Sequence, residues 1–270
     1  MAVTRSPKEP WSARRHADGL ERMRTPMTQE HRLMGRLLSR REVVTLLGAT
    51  AAACLMAGSL KPRWALAGTP GPLCVVRPEQ TEGPYFVDER LNRSDIRSDP
   101  ADGQVKPGTP LDLTLKVSRF SAGDCRPLAG AQVDLWHCDA LGVYSDVRDP
   151  GFSTIGQKFL RGYQLTDAQG EARFVTVYPG WYPVRTVHIH FKIRTATMAQ
   201  RTFEFTSQLY FDDELTDRVH SAPPYSSRGP RTARNQHDRI FRRGGSHLML
   251  APTALANGYS ATFAIGLQLP

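Results

Sequence analysis

Two histidines stand two residues apart in Thr186-Val187-His188-Ile189-His190-Phe191. A tyrosine precedes them by six residues, in Tyr178-Pro179-Gly180-Trp181-Tyr182-Pro183. A second tyrosine, Tyr144, ends the segment Leu141-Gly142-Val143-Tyr144 earlier in the chain. A free phenol has a pKa of about 10, so near neutral pH it loses its proton only to a strongly Lewis-acidic cation. Two phenolates and two imidazoles suit ferric iron better than zinc, calcium or magnesium. Singly, each signal is weak. A His-x-His pair also serves zinc, copper and cupin-type sites, although a cupin would add a glutamate soon after. Phe191-Lys192-Ile193-Arg194-Thr195 supplies none. If the four residues converge, the chain is a redox enzyme.

The elements that must position them read as strands. In an extended segment residues i and i+2 share a face, so His188 and His190 project together while Ile189 turns to the core. Residues 111–117 alternate with period two, and residues 131–137, 172–177, 187–193, 203–211 and 259–269 complete at least six strands. Asp167-Ala168-Gln169-Gly170 reads as a hairpin-type turn. No segment after residue 67 sustains a helical apolar period. The expected fold is all-β, an antiparallel β-sandwich core. Two long loops, residues 138–162 and 212–247, are expected to serve the active site.

The net charge of +9 belongs to one end. Residues 1–67 carry 12 Lys or Arg against 5 Asp or Glu, and the remaining 23 basic and 21 acidic residues leave the rest near neutral. A nucleic-acid footprint would spread basic charge over a folded face, so nucleic acid is excluded as a partner. Ser39-Arg40-Arg41-Glu42-Val43-Val44 is a twin-arginine pattern, followed by an uncharged run over residues 43–60 and by Ala65-Leu66-Ala67, a small-x-small cleavage signal. We read residues 1–67 as an N-terminal extension with a cleaved twin-arginine signal, and residues 68–270 as one catalytic domain. The export machinery is then a partner and the destination is periplasmic or extracellular. A membrane anchor over the same run and lipidation at Cys54 are the alternatives. Translation starting at Met27 or Met34 would shorten the extension. In an oxidising compartment Cys74 and Cys125, in loop-like surroundings before and after a strand, are the favoured disulfide, leaving Cys138 over; three buried thiols is the alternative.

Together with Glu79-Gln80-Thr81-Glu82-Gly83-Pro84-Tyr85-Phe86, Gly130-Ala131-Gln132-Val133-Asp134-Leu135-Trp136-His137, Arg161-Gly162-Tyr163 and Thr206-Ser207-Gln208-Leu209-Tyr210-Phe211, the tyrosine and histidine segments resemble the intradiol ring-cleavage dioxygenases. That family includes catechol 1,2-dioxygenase and protocatechuate 3,4-dioxygenase, and the resemblance covers most of residues 72–270. It implies Fe(III) held by Tyr144, Tyr182, His188 and His190, with a small-molecule catechol and O2 as substrates. Tyr182 matches the tyrosinate that leaves when a catechol chelates, and Arg185 the cation that stabilises charge on the ring. Gln208 matches a residue beside the ring, and Gly83, Pro84 and Tyr85 match a pocket wall. The product would be a cis,cis-muconate-type dicarboxylate, and a homodimer is the assembly the family suggests. His137 lies outside the ligand pattern and reads as structural. Only Pro183 and Val184 separate Tyr182 from Arg185, where well-known members carry a longer insertion. The competing reading is an exported β-sandwich module that binds phenolics without turnover.

Overall fold

The computed structural model describes residues 74–121, 123–196 and 202–269. The twin-arginine pattern, the cleavage signal, Cys54 and the boundary at residues 67 and 68 lie outside them. Eleven strands are described: β1 (Pro110–Ser121), β2 (Asp124–Pro127), β3 (Gln132–Trp136), β4 (Arg148–Asp149), β5 (Phe152–Ser153), β6 (Arg161–Leu165), β7 (Glu171–Val177), β8 (His188–Ala196), β9 (Thr202–Tyr210), β10 (Thr253–Leu255) and β11 (Gly258–Gln268). Among the described residues one α-helix, α1 (Asp213–His220), follows β9, and three short 3-10 turns come after it. β6, β3, β8 and β9 form a four-stranded sheet in that order, and β10, β11, β1 and β2 form another, with β7 also paired to β1.

Alternation in the sequence is what builds the space between the sheets. Leu111, Leu113, Leu115 and Val117 of β1 are buried, as are Phe174 of β7 and Phe263 and Ile265 of β11. They join Val133, Leu135, Ile189, Phe191 and Ile193 of the other sheet in a single apolar cluster. The ring centroids of Phe191 and Phe263 lie 6.1 Å apart. The mostly stranded architecture agrees with an all-β sandwich, but it is not wholly antiparallel. β11 pairs with β1 in parallel, Leu111 opposite Tyr259 through Phe120 opposite Gln268. Parallel neighbours need a long crossover, and nearly the whole domain lies between these two strands.

Two local expectations also change. The Asp167–Gly170 turn closes as a hairpin would, with Gly170 N donating to Asp167 O at 2.9 Å. Its flanking strands part company, however, β6 pairing with β3 and β7 with β1. The 212–247 excursion holds α1, whose N-terminus is capped by Asp212, the side chain accepting from Leu215 N. Eight residues are too few to give a helical period in sequence.

Candidate metal centre

β8 opens with the histidine pair. His188 and His190 are both 1% exposed, and Ile189 between them faces the core. His188 Nδ1 donates to Thr186 O at 2.6 Å. A carbonyl only accepts, so this bond fixes the tautomer and leaves Nε2 with a free lone pair. That nitrogen lies 3.1 Å from His190 Nε2 and 3.1 Å from the Tyr182 hydroxyl. The indole of Trp136 lies opposite His190 in the β3–β8 ladder and stacks on its ring at 4.9 Å and 9°. Burial lowers both imidazole pKa values well below the ordinary range, helped by Arg185 and, at His190, by its neighbour His188. Both shifts favour the neutral ring, the form able to ligate.

The two tyrosines come from loops locked to one another. Gly142 has φ +78°, and a Cβ there would sit 2.2 Å from Trp181 O. A Cβ on Gly180 would sit 2.3 Å from Ala140 O. Each glycine thus lets the other loop's carbonyl approach, and the amides of both bond Asp139 O, at 2.9 and 3.0 Å. Tyr144 is 1% exposed, its ring edge-on to Tyr182 with centroids 5.7 Å apart. Its hydroxyl has no hydrogen-bond partner among the described residues. Burial, then the nearby Tyr182 phenol, raises its pKa well above 10. Burial also raises that of Tyr182, with Arg185 opposing.

This donor set can be tested against iron on its own chemistry. Two metal–imidazole bonds of about 2.1 Å meeting near a right angle span about 3 Å, which fits the Nε2 separation. An orphaned buried phenol normally costs stability, and a ligand bond would satisfy it. Among the described residues no three His, Cys, Asp or Glu side chains gather as a metal site. The oxygen donors beside the histidine pair are phenols, and two phenols with two imidazoles fit a ferric ion.

Arg185 is aimed into this cluster. Its Nε donates to Asp238 at 2.7 Å, Nη2 to Gln208 Oε1, and Nη1 lies 3.5 Å from the Tyr182 hydroxyl. Gln208 sits opposite His190 in the β8–β9 ladder and is fixed by its own donation to Thr81 O at 2.8 Å. The Tyr210 hydroxyl donates to Gln80 Oε1 at 2.6 Å and lies 3.0 Å from Gln208 Oε1. Gly83, at φ +75°, passes so close to His190 that a Cβ would lie 3.4 Å from its ring. Pro84 beside it is exposed. Tyr85 stacks on Tyr144 with centroids 4.5 Å apart and donates to Asp149 at 2.6 Å. Burial and that bond push its pKa up to about 12.

Apart from Pro84, which is exposed, the residues Tyr144, Tyr182, His188, His190, Arg185, Gln208, Gly83 and Tyr85 are thus in or against one cluster. His137 is not: it bonds Cys138 O and Thr176 Oγ1 away from it, and burial lowers its pKa to about 4. Sequence reasoning missed Asp238, which is 0% exposed. Its carboxylate accepts from Arg185, from Thr186 N at 2.9 Å and from Ile240 N at 2.6 Å. Its signal was one acid amid Arg234, Arg239, Arg242 and Arg243. Trp136 and Tyr210 could have been found as cross-strand partners of the histidines, once the register was known. The shortened link is a tight turn, with Arg185 N 3.4 Å from Tyr182 O and Val184 at φ +65° and 79% exposed.

A two-sheet β domain brings two tyrosines and two histidines into one buried cluster. A family profile described as dioxygenase matches residues 81–234. The protocatechuate 3,4-dioxygenase beta chain of Burkholderia cepacia is 30% identical over 148 residues, 52% of this chain and 59% of that one. An intradiol ring-cleavage dioxygenase of Tetranychus urticae has a solved structure that is 29% identical, covering 72% of this chain and 95% of that one, with a TM-score of 0.63. The dioxygenase domain of a dioxygenase–carbohydrate-binding fusion from Streptomyces sp. SirexAA-E is 27% identical over 73% of this chain and 100% of that one, with a TM-score of 0.50. The chain belongs to the intradiol ring-cleavage dioxygenase family. That family is iron-dependent in general. The chain spans less than two thirds of the curated relatives it matches.

Proposed function

We propose that the chain is an Fe(III) dioxygenase that opens the ring of a catechol between its hydroxylated carbons. Both atoms of O2 end in a cis,cis-muconate-type dicarboxylate, so no external reductant is needed. The observation that carries this is the approach of the His188 Nε2 lone pair, His190 Nε2 and the Tyr182 hydroxyl, within 3.1 Å steps, beside a buried phenol on Tyr144 that nothing else satisfies. Tyr144, Tyr182, His188 and His190 would hold the iron. Bound ferric iron supplies the Lewis acidity that favours the catechol dianion and draws electron density from its ring, exposing a ring carbon to O2.

The chain's own residues do the rest. Tyr182 lies between His188 and the guanidinium of Arg185, so its Oη would be placed to take a catechol proton, with Arg185 stabilising that oxygen. Tyr144 is packed beneath Tyr85 and stays in place. Arg185, held on one side by Asp238 and on another by Gln208, presents a fixed positive charge to a ring that gains negative charge. Gly83 keeps side-chain bulk away from His190, and Tyr85, tethered to Asp149, walls the opening.

Purified protein should be red-brown from tyrosinate-to-iron charge transfer and should consume O2 with a catechol. A colourless, fully metallated protein would sink the reading, and a coloured one inert to every catechol would favour the binding module. We further propose export by the twin-arginine route. It is supported by the residue 39–67 pattern and by the Cys74–Cys125 disulfide, which an oxidising compartment permits. N-terminal sequencing of protein from a periplasmic fraction checks it; a cytoplasmic chain retaining residues 1–67 would refute it.

A further inference from the structure

The excursion after α1 contains Arg228, Arg231, Arg234, Arg239, Arg242 and Arg243, and the structure divides them. Arg228 donates to Trp181 O at 2.9 Å and lies over its ring. Arg231 bridges Asp213 and Asp217, each at 2.7 Å, and Arg234 pairs with Asp217. These three are consumed by the fold. The side chains of Arg239 and Arg243 form no ion pair or hydrogen bond among the described residues, and both are exposed. They line a groove of about 560 Å³ together with Val184, Arg185, His237, Asp238 and Ile240.

The groove's charge is one-sided. Its single acid, Asp238, is already neutralised by Arg185, and its other oxygen accepts from Ile240 N and Phe241 N. That leaves two uncompensated guanidinium groups, each able to bind a carboxylate bidentately. The groove lies beside the candidate metal centre, since the Arg185 that lines it reaches within 3.5 Å of the Tyr182 hydroxyl. Its volume lies in the range that holds a drug-sized ligand. That is more room than a carboxylate attached directly to a catechol ring would fill. Val184 and Ile240 offer apolar surface for the atoms between.

We infer that this groove is a subsite for the arm of an extended catechol, one whose ring carries a chain of several atoms ending in a carboxylate, with Arg239 and Arg243 as the groups that select it. The inference rests on the reading of the metal centre as a catechol-cleaving site, so its test has one arm that needs turnover and one that does not. The first compares O2 uptake by the full chain on caffeate and on its methyl ester, at low ionic strength. Caffeate should be favoured in kcat/KM by about tenfold or more, chiefly through KM, the scale of one charge-assisted hydrogen bond. In the Arg239→Gln/Arg243→Gln double variant the acid-to-ester ratio should fall to about 1. The second arm is calorimetric binding of cinnamate and cinnamamide, which lack the hydroxyls needed for cleavage. Cinnamate should bind about tenfold tighter in the parent chain and no tighter in the double variant. Equal use of acid and ester by the parent, or a preference that survives in the double variant, would overturn the subsite. If no catechol is cleaved at all, the ring-cleavage reading fails, and the cinnamate arm alone decides: equal or undetectable binding of the two probes removes the subsite as well.

Discussion

At the scale of single residues, the site divides into groups that would touch iron and groups that hold those in place. Tyr182 is the discriminating candidate ligand. It is the more exposed of the two phenols and lies beside Arg185, whereas Tyr144 is sealed under Tyr85. Tyr182→Phe should keep iron, by metal analysis, yet shift the visible absorption and slow substrate binding in stopped-flow traces. An unchanged spectrum would assign the leaving role to the wrong tyrosine. His188→Ala or His190→Ala should instead abolish iron binding. Asp238 makes a different prediction. It is fully buried and accepts from one guanidinium and three backbone amides. Asp238→Ala leaves those donors unpaired and should cost about 3–5 kcal/mol of stability in chemical denaturation. Asp238→Asn keeps one acceptor oxygen and the shape, so it should fold, retain iron and lose kcat/KM through a misplaced Arg185. An Asp238→Asn enzyme with parental kinetics would strip Asp238 of its positioning role. Asp238 was invisible in sequence because its meaning comes from a partner 53 residues away. The histidine pair was legible because i and i+2 on a strand need no tertiary knowledge to share a face.

At the scale of elements, convergence of the tyrosines depends on the contact between the 138–144 and 178–182 loops, and the sequence announced those loops only as Gly- and Pro-bearing turns. Gly180 is the sharper test, since a methyl there meets the Ala140 carbonyl carbon at 2.5 Å as well as its oxygen. Backbone cannot rotate aside as a side chain can. Gly180→Ala should therefore part the loops, lower iron content and cost about 2 kcal/mol or more; normal iron loading with an unchanged melting profile would show that the loops are free to separate. Val184 tests the opposite sign. A β-branched residue at positive φ is strained by roughly 1–2 kcal/mol, and at 79% exposure it gives up little burial when removed. Val184→Gly relieves that strain at the cost of glycine's extra unfolded-state entropy, so a net gain of about 1 kcal/mol or less is expected in urea titration. Strong alternation made β1, β3, β7, β8, β9 and β11 legible. β2, β4, β5 and β10, of two to four residues, carry too little pattern to be read. The parallel pairing of β1 with β11 could not be read at all, because register direction is set by topology rather than by either strand's composition.

At the scale of the whole molecule, one covalent tie holds the beginning of the described chain to the rest. Cys74 and Cys125 have Cα atoms 5.6 Å apart and close a loop of 51 residues, joining the segment before β1 to the edge strand β2. The same segment bridges Gly266 of β11 through Val76 and sends the Arg77 guanidinium to Ala264 O at 3.1 Å. The disulfide thus reinforces the five-stranded sheet, while the candidate ligands lie on and beside the four-stranded one. Chain-entropy reasoning gives about 4 kcal/mol for a loop of this length. At about 2–4 °C per kcal/mol for a domain of this size, reduction should lower the midpoint of thermal unfolding by roughly 10 °C. The visible band of the iron site should not change at temperatures where the reduced protein remains folded, because no ligand contacts either cysteine. Thiol titration of the denatured, unreduced chain over residues 68–270 should find one thiol, that of Cys138. If three are found, or if reductant leaves the midpoint in place, the tie does not form. If reduction instead bleaches the visible band below the midpoint, the two sheets are coupled more tightly than their separate hydrogen-bond ladders imply.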